Sequence, residues 1–462
     1  MAKAEPNPPA PFPKKEGGES GASDGEGTGP PGASPSPPGG RGEGASPLPL
    51  FAALLLGAFA LLQALATNNF PDLFIYRIGP LLVSEGRTPY DVPLVRARVA
   101  AQFPEENPKL DSLVNNCGYF PPPLAIVVYM PFAVLPWVGA KVLWAVVTAF
   151  AAWAIAQLPN QFRAPGQAPA PRTLVWLIVP LALVFNPLAV ATVVVGQTPL
   201  WSVACVVAGQ MCFDRGRTWF GAALWAIPFV KPHLALPLVA VAWYLGGWKR
   251  AAAVVAIVAA LNLIGATLAG GSPLYLKDYF DYLPTAHKAV LYNRAEMNPQ
   301  ITSWNRLLFA LGGPLIELTI VTTVAGYLVW GGLVLGRVAL AGERPSAAWA
   351  LAAAVAGALT CCQVLGYELL ALTLVVPWIR DLFAGGWKVR GWAAVLLLLS
   401  QQIPMPLDAI ERASGDSPSA VMRFVLTVLG SSRPLGAMAL AVLVLVGPVA
   451  PGPRADGTRP GP

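Results

Sequence analysis

The feature that most constrains this chain is a series of apolar runs too long to be core strands or ordinary buried helices. "PLPLFAALLLGAFALLQALA" and "AMALAVLVLVGPV" are continuous in their hydrophobicity. A helix of about 20 such residues crosses a hydrocarbon core of about 30 Å, whereas a membrane strand needs only about ten residues and alternates. The runs therefore specify an all-α polytopic membrane protein. Hydrophobic residues make up 55% of the 462 and charged residues only 12%, so few segments are left to face water.

Apolar stretches fall near 48–67, 121–136, 138–158, 173–195, 198–213, 218–245, 251–269, 313–336, 347–363, 365–383, 391–404 and 420–447. That pattern predicts a bundle of ten to twelve transmembrane helices. The basic turns Asp214–Thr218, Gly246–Arg250 and Gly385–Arg390 are assigned to the cytoplasm, because short loops rich in Lys and Arg stay inside. Two long polar loops, about 68–120 and 271–312, are assigned outside. Residues 1–47 are rich in Pro, Gly, Ser and Ala without an apolar run, and residues 448–462 are similar in character. Both are expected to be disordered tails, the first cytoplasmic, flanking a membrane domain at 48–447. A cleaved signal peptide is not expected, since its apolar region would start closer to the N-terminus.

Two stretches do not fit a simple crossing. At about 1.5 Å per residue, the 16 residues of 121–136 reach only about 24 Å and carry Pro121, Pro122, Pro123 and Pro131. Residues 218–245 are interrupted by Pro228, Pro232 and Pro237 and are too short for two passes. Broken helices are tolerated at membrane depth where they line a protein-enclosed cavity, so both are candidate cavity walls.

The net charge of +7 comes from Lys and Arg scattered through loops. Without a basic stripe or recognition motif, this reads as membrane topology, and no nucleic-acid partner is expected. The five Cys show no metal spacing and are expected to be packing residues or free thiols. With His233 and His287 as the only histidines, a His-based metal site is excluded; no metal or other cofactor is called for. No GxxxxGK loop occurs, so energy has to come from an activated substrate or an ion gradient.

Several polar residues stand where polarity is costly. Asp72 follows the first span, on a segment with helical spacing. It is either a solvated residue favoured by the helix dipole or a general base at a cavity mouth. Lys231 lies inside "WAIPFVKPHLALPLV", where an ammonium costs about 2.5–3.5 kcal/mol even on a lenient scale. It either snorkels or holds a lipid phosphate beside backbone N–H groups freed by proline. Gly196–Gln197 is a capped turn or a sugar-binding pair. In the second outer loop, Arg294, Asn298, Gln300 and Arg306 lie among aromatics, a mixture suited to sugar hydroxyls and phosphate oxygens and also found in interfacial belts. Glu368, in "VLGYELLALTLVV", reads as functional by the same cost argument.

Several short motifs occur in a fixed order: Asp72-x-x-x-Tyr76, Gly86-x-x-Pro89-Tyr90-Asp91, Pro122-Pro123-Leu124, Pro131-Phe132, Leu135-Pro136, Gly196-Gln197, Lys231-Pro232 and Trp248-Lys249-Arg250. In this order and spacing, over about residues 48–380, the chain resembles glycosyltransferase family 87, the polyprenyl-phosphate-mannose-dependent mannosyltransferases of the GT-C fold. The resemblance implies a GT-C-like bundle that takes a hexose, mannose by analogy, from a polyprenyl-phosphate donor. The hexose would pass with inversion to a glycan or glycolipid acceptor on the outer face of the plasma (inner) membrane. Asp72 would be the catalytic residue. Lys231, His233, Arg294 and Arg306 would serve the donor phosphate, and Tyr76, Arg77, Tyr90, Gln197, Asn298, Gln300 and Glu368 the substrates. The alternatives are a transporter or flippase of lipid-linked sugars, for which no internal repeat is found, and a non-catalytic membrane subunit.

Overall fold

The structure, a computed structural model, describes residues 48–66, 70–102, 119, 121–163, 182–183, 185–289, 302–304, 307–308, 320–342, 345–362, 364–402 and 420–448. The tail at 1–47 and the residues from 449 onward lie outside this set. Among the described residues the fold is all helix, with one isolated antiparallel bridge, Thr302–Val364. The protein is an all-α polytopic membrane protein. Trp137–Asn160, Pro232–Gly270 and Val321–Ala341 are long and apolar enough to cross a bilayer unaided, and a bent pair at 187–214 forms a fourth candidate span. Other apolar stretches are delivered as shorter helices, among them Ala53–Gln63, Thr218–Val230, Ala347–Cys361 and Ser431–Val446.

Helices α1 (Leu48–Ala66) and α5 (Trp137–Ala156) pack through small residues. At Gly57 an added Cβ would lie 2.7 Å from Ala149 Cβ. Ala53, Leu56 and Ala60 are buried on that face, while Leu54, Leu61, Leu62 and Leu65 are exposed. Apolar exposure on the outer faces is what lipid demands. Close backbone approach supplies the association that a hydrophobic effect cannot provide between helices in hydrocarbon.

Helix α2 (Pro71–Ser84) and helix α3 (Val92–Gln102) follow in the first long polar loop. Helix α4 (Pro123–Ala133) has 11 residues, about 16 Å of rise, too short to cross. It is clamped at both ends. The Leu124 N–H donates to Asn262 Oδ1 at 3.3 Å, and Gly265 leaves no room for a Cβ beside the Pro123 carbonyl. At the other end, the Arg77 guanidinium donates to the carbonyls of Phe132 (2.9 Å) and Leu135 (2.7 Å). The Pro-Pro-Leu and Leu-Pro motifs thus mark the two held ends of one short helix.

Helix α6 (Pro187–Val195) meets α7 (Pro199–Asp214) at 105°. Helix α8 (Thr218–Ala226) returns beside α7, with Gly209 and Gly221 in contact and Trp225 Nε1 donating to Val206 O at 2.9 Å. A 3₁₀ turn, Ile227–Val230, then breaks the chain at Lys231, and a single turn at Pro232–Ala235 leads into α9 (Pro237–Gly270). Helix α9 is interrupted at Gly247 (φ 69°, ψ −175°), which places a turn where the sequence predicts one. Helix α10 (Tyr275–Ala289) lies in the second long polar loop.

After α11 (Ile320–Ala341) and α12 (Ala347–Cys361) the chain winds as a ten-residue 3₁₀ segment, Gly366–Val375. It then continues as α13 (Val376–Ala384), α14 (Lys388–Gln402) and α15 (Ala420–Val446). Runs of 3₁₀ beyond 3–4 residues are uncommon and tend to mark functional segments.

The helix ends sort into two groups. The turns after α7 and inside α9 meet where the Arg250 guanidinium covers the Phe213 ring at 4.3 Å. Tyr244 donates to Pro345 O, Ser346 Oγ contacts Asp381 Oδ2 at 3.2 Å, and Arg380 donates to Pro159 O at 2.5 Å. These contacts gather the basic turns at one end of the bundle. The elbow between α6 and α7, the break at Lys231 and the 3₁₀ segment lie at the other ends of the same helices. The 16 residues of α7 rise about 24 Å between the two levels.

Candidate active site

Pro71 opens α2 and Asp72 occupies its first turn, where a carboxylate is favoured by the helix dipole. The reading of Asp72 as a solvated helix-start residue does not describe it, because it is only 8% exposed. The α6–α7 elbow covers this turn. Gly196 takes φ 79°, and a Cβ on it would lie 2.8 Å from the Leu73 backbone nitrogen and overlap the Leu73 side chain. Only glycine satisfies both the left-handed backbone and the close approach.

Tyr76 stands one turn beyond Asp72 on the same face. Its ring stacks on Tyr129 of α4 (centroids 4.7 Å apart, 11° between planes), and Tyr129 stacks in turn on Trp201 of α7 (5.3 Å, 26°). The Tyr76 hydroxyl lies against Thr198 of the elbow. Tyr129 is within electrostatic reach of both Asp72 and Tyr76. The Tyr129 hydroxyl and Gln197 Oε1 are buried without a hydrogen-bond partner among the described residues.

Lys231 and Glu368, predicted separately, form an ion pair between Nζ and Oε1, with side-chain exposures of 13% and 4%. The other carboxylate oxygen, Oε2, accepts from the Leu365 N–H at 2.8 Å, and this fixes Glu368 at the start of the 3₁₀ segment. Lys231 also interacts electrostatically with Tyr76 and Asp72. The Thr302–Val364 bridge ties the second long polar loop to the chain just ahead of Glu368, with N–H···O distances of 2.8 and 3.0 Å.

The pair opens onto a cavity of about 60 Å³. Val203, Val206, Leu238, Val355 and Leu374 contribute to its apolar lining; Thr198, Ser202, Lys231 and Glu368 are its polar groups. Of the two stretches expected to wall a cavity, the one around Pro228–Pro237 lines this one. The 121–136 stretch does not line it. Held by Arg77 and Asn262, it supports Tyr76 from behind through Tyr129.

The other predicted residues are distributed as follows. Gln197 is buried in the elbow. The Arg77 guanidinium is engaged by the carbonyls at the end of α4. Tyr90 sits in a tyrosine cluster with Tyr119, Tyr275, Tyr279 and Tyr282 that joins the two long polar loops, its hydroxyl donating to Pro121 O at 3.1 Å. His233 is exposed, and its carbonyl accepts from the Tyr327 hydroxyl and the Cys362 thiol. Arg294, Asn298, Gln300 and Arg306 lie outside the described residues. Tyr129, Thr198 and Trp201 were missed in the sequence because each is one polar or aromatic residue within an apolar run.

Fold and site together define a membrane protein with an aromatic-backed carboxylate near a charged, largely apolar cavity. The model of glycosyltransferase family 87 matches residues 119–366, more than half of the chain. The chain belongs to this family and is a glycosyltransferase. The matched span begins after Asp72 and Tyr76 and ends two residues before Glu368. No curated protein and no solved structure gives a match.

Proposed function

We propose that the protein transfers a hexose, with mannose the favoured sugar, from a polyprenyl-phosphate donor to a hydroxyl of a glycan or glycolipid acceptor. The carrying observation is the cavity: its walls are apolar, as a prenyl chain requires, and its polar groups include a buried ammonium within electrostatic reach of Asp72. In this reading Asp72 takes the proton of the attacking hydroxyl as general base. The new glycosidic bond forms at the anomeric carbon from the face opposite the departing phosphate, so the configuration inverts. Lys231 offsets the charge that develops on the phosphate, which leaves with the electron pair of the broken C–O bond. The stack of Tyr76, Tyr129 and Trp201, with Gln197 and the Tyr129 hydroxyl, supplies surfaces and hydrogen-bonding atoms for a sugar.

The basic turns belong inside by the charge rule, so the opposite end of the bundle, which carries the site, faces the extracytoplasmic side of the plasma membrane. The test supplies purified protein with radiolabelled polyprenyl-phosphate mannose and a panel of glycan and glycolipid acceptors. Labelled product with inverted anomeric configuration is expected. Retained configuration would contradict direct displacement, and transfer only from a nucleotide sugar would contradict the lipid donor.

A further inference from the structure

We infer that Glu368 is a counter-ion that competes with the donor phosphate for Lys231 and afterwards expels the lipid phosphate product. This rests on the reading of Lys231 as the phosphate ligand. The pair is buried, and both members face the same cavity. Oε1 of Glu368 already holds the ammonium on the wall of the cavity, so a phosphate that docks on Lys231 competes with this carboxylate oxygen for it. Exchange of one anion for another leaves Lys231 paired throughout, which avoids the large cost of a buried unpaired cation. Glu368 does not drift away when displaced, because Oε2 still holds the Leu365 N–H at 2.8 Å. The carboxylate is therefore poised to return.

Transfer makes that return necessary. The donor phosphodiester carries one negative charge. When the anomeric C–O bond breaks, the phosphate keeps the electron pair, and the acceptor's proton goes to Asp72. The lipid monophosphate left behind has gained a negative charge and would bind Lys231 more tightly than the donor did. The adjacent carboxylate opposes this by repelling the product and competing for its cation. Glu368 thus acts on release, as a positioning residue for Lys231, and touches neither sugar nor acceptor.

The experiment measures binding of a polyprenyl monophosphate, and of the uncharged polyprenol of equal length, to the full detergent-solubilised chain. Binding is measured near neutral pH, where the monophosphate carries most of its second negative charge. Glu368→Gln is expected to bind the monophosphate about tenfold more tightly than wild type or better, with polyprenol binding unchanged. In steady state the same variant should show stronger product inhibition and a lower kcat together with a lower donor KM. A merely structural role would not produce that combination. Unchanged or weaker monophosphate binding with polyprenol binding intact overturns the competition. Lys231→Met separates the two claims: if it binds the monophosphate as wild type does, the phosphate reading itself fails and the competition with it. Should Glu368→Gln not fold, Glu368→Asp, whose carboxylate falls short of Lys231, is read by the same criterion: tighter monophosphate binding supports the competition and unchanged binding overturns it.

Discussion

At position 196 the chain needs a residue with no Cβ, for backbone conformation and for contact with Leu73 at once. Gly196→Ala is expected to destabilise the protein by about 2 kcal/mol or more and to cut transfer at least about tenfold, since the elbow it displaces lies against Asp72. Thermal unfolding in detergent and a transfer assay check the two effects. Arg77 differs in kind: two charge-assisted hydrogen bonds to the end of α4, at roughly 1.5 kcal/mol each, give an expected loss of about 3 kcal/mol for Arg77→Ala. Arg77→Lys, able to make only one of them well, should recover part of this in the same unfolding measurement. Asp72, Gly196 and Lys231 were legible singly, because a charge or a glycine at an awkward place is visible in one dimension. The Lys231–Glu368 pair was not, because its members are 137 residues apart and no local rule links them. The resemblance implies a substrate role for Arg77, while the backbone carbonyls that its guanidinium holds leave no mark in the sequence.

Among the elements, the broken ones carry the site, and proline announced most of them. Pro228, Pro232 and Pro237 marked the interruption around Lys231, and the four prolines of 121–136 marked a helix too short to cross. The 3₁₀ winding of Gly366–Val375 had no such signal: "GYELLALTLV" reads as an ordinary apolar helix, and only packing within the bundle selects the tighter form. The tyrosine cluster ties the two long polar loops together. Burial, reinforced by neighbouring phenols, raises the Tyr90 and Tyr119 hydroxyls well above their usual range. A raised phenol pKa means that the folded protein keeps a proton the unfolded chain releases near pH ~10. The cluster's stabilisation is therefore intact below about pH 10 and is lost as pH rises beyond it. In an alkaline titration followed by tyrosinate absorbance, these phenols should ionise only together with unfolding of the two polar loops. Ionisation near pH ~10 in a folded protein would contradict the buried cluster.

For the whole molecule, apolar run lengths were enough to show helical spans, and loop charges supply the orientation proposed for them. What they could not give was the folding of distant breaks onto one level, because that depends on which helices pack together and not on any one helix. The resulting polarity is testable in cells. A membrane-impermeant thiol reagent should label Arg87→Cys from outside, whereas Lys249→Cys should react only after permeabilisation; both positions are exposed. The reverse pattern would put the site in the cytoplasm. The central claim is that Asp72 performs base chemistry beside a cavity that holds a lipid phosphate. Its most direct test is single-turnover transfer by Asp72→Asn with donor already bound. The account predicts a rate lower by about 10²–10⁴-fold with donor affinity unchanged. Transfer at the wild-type rate would contradict it.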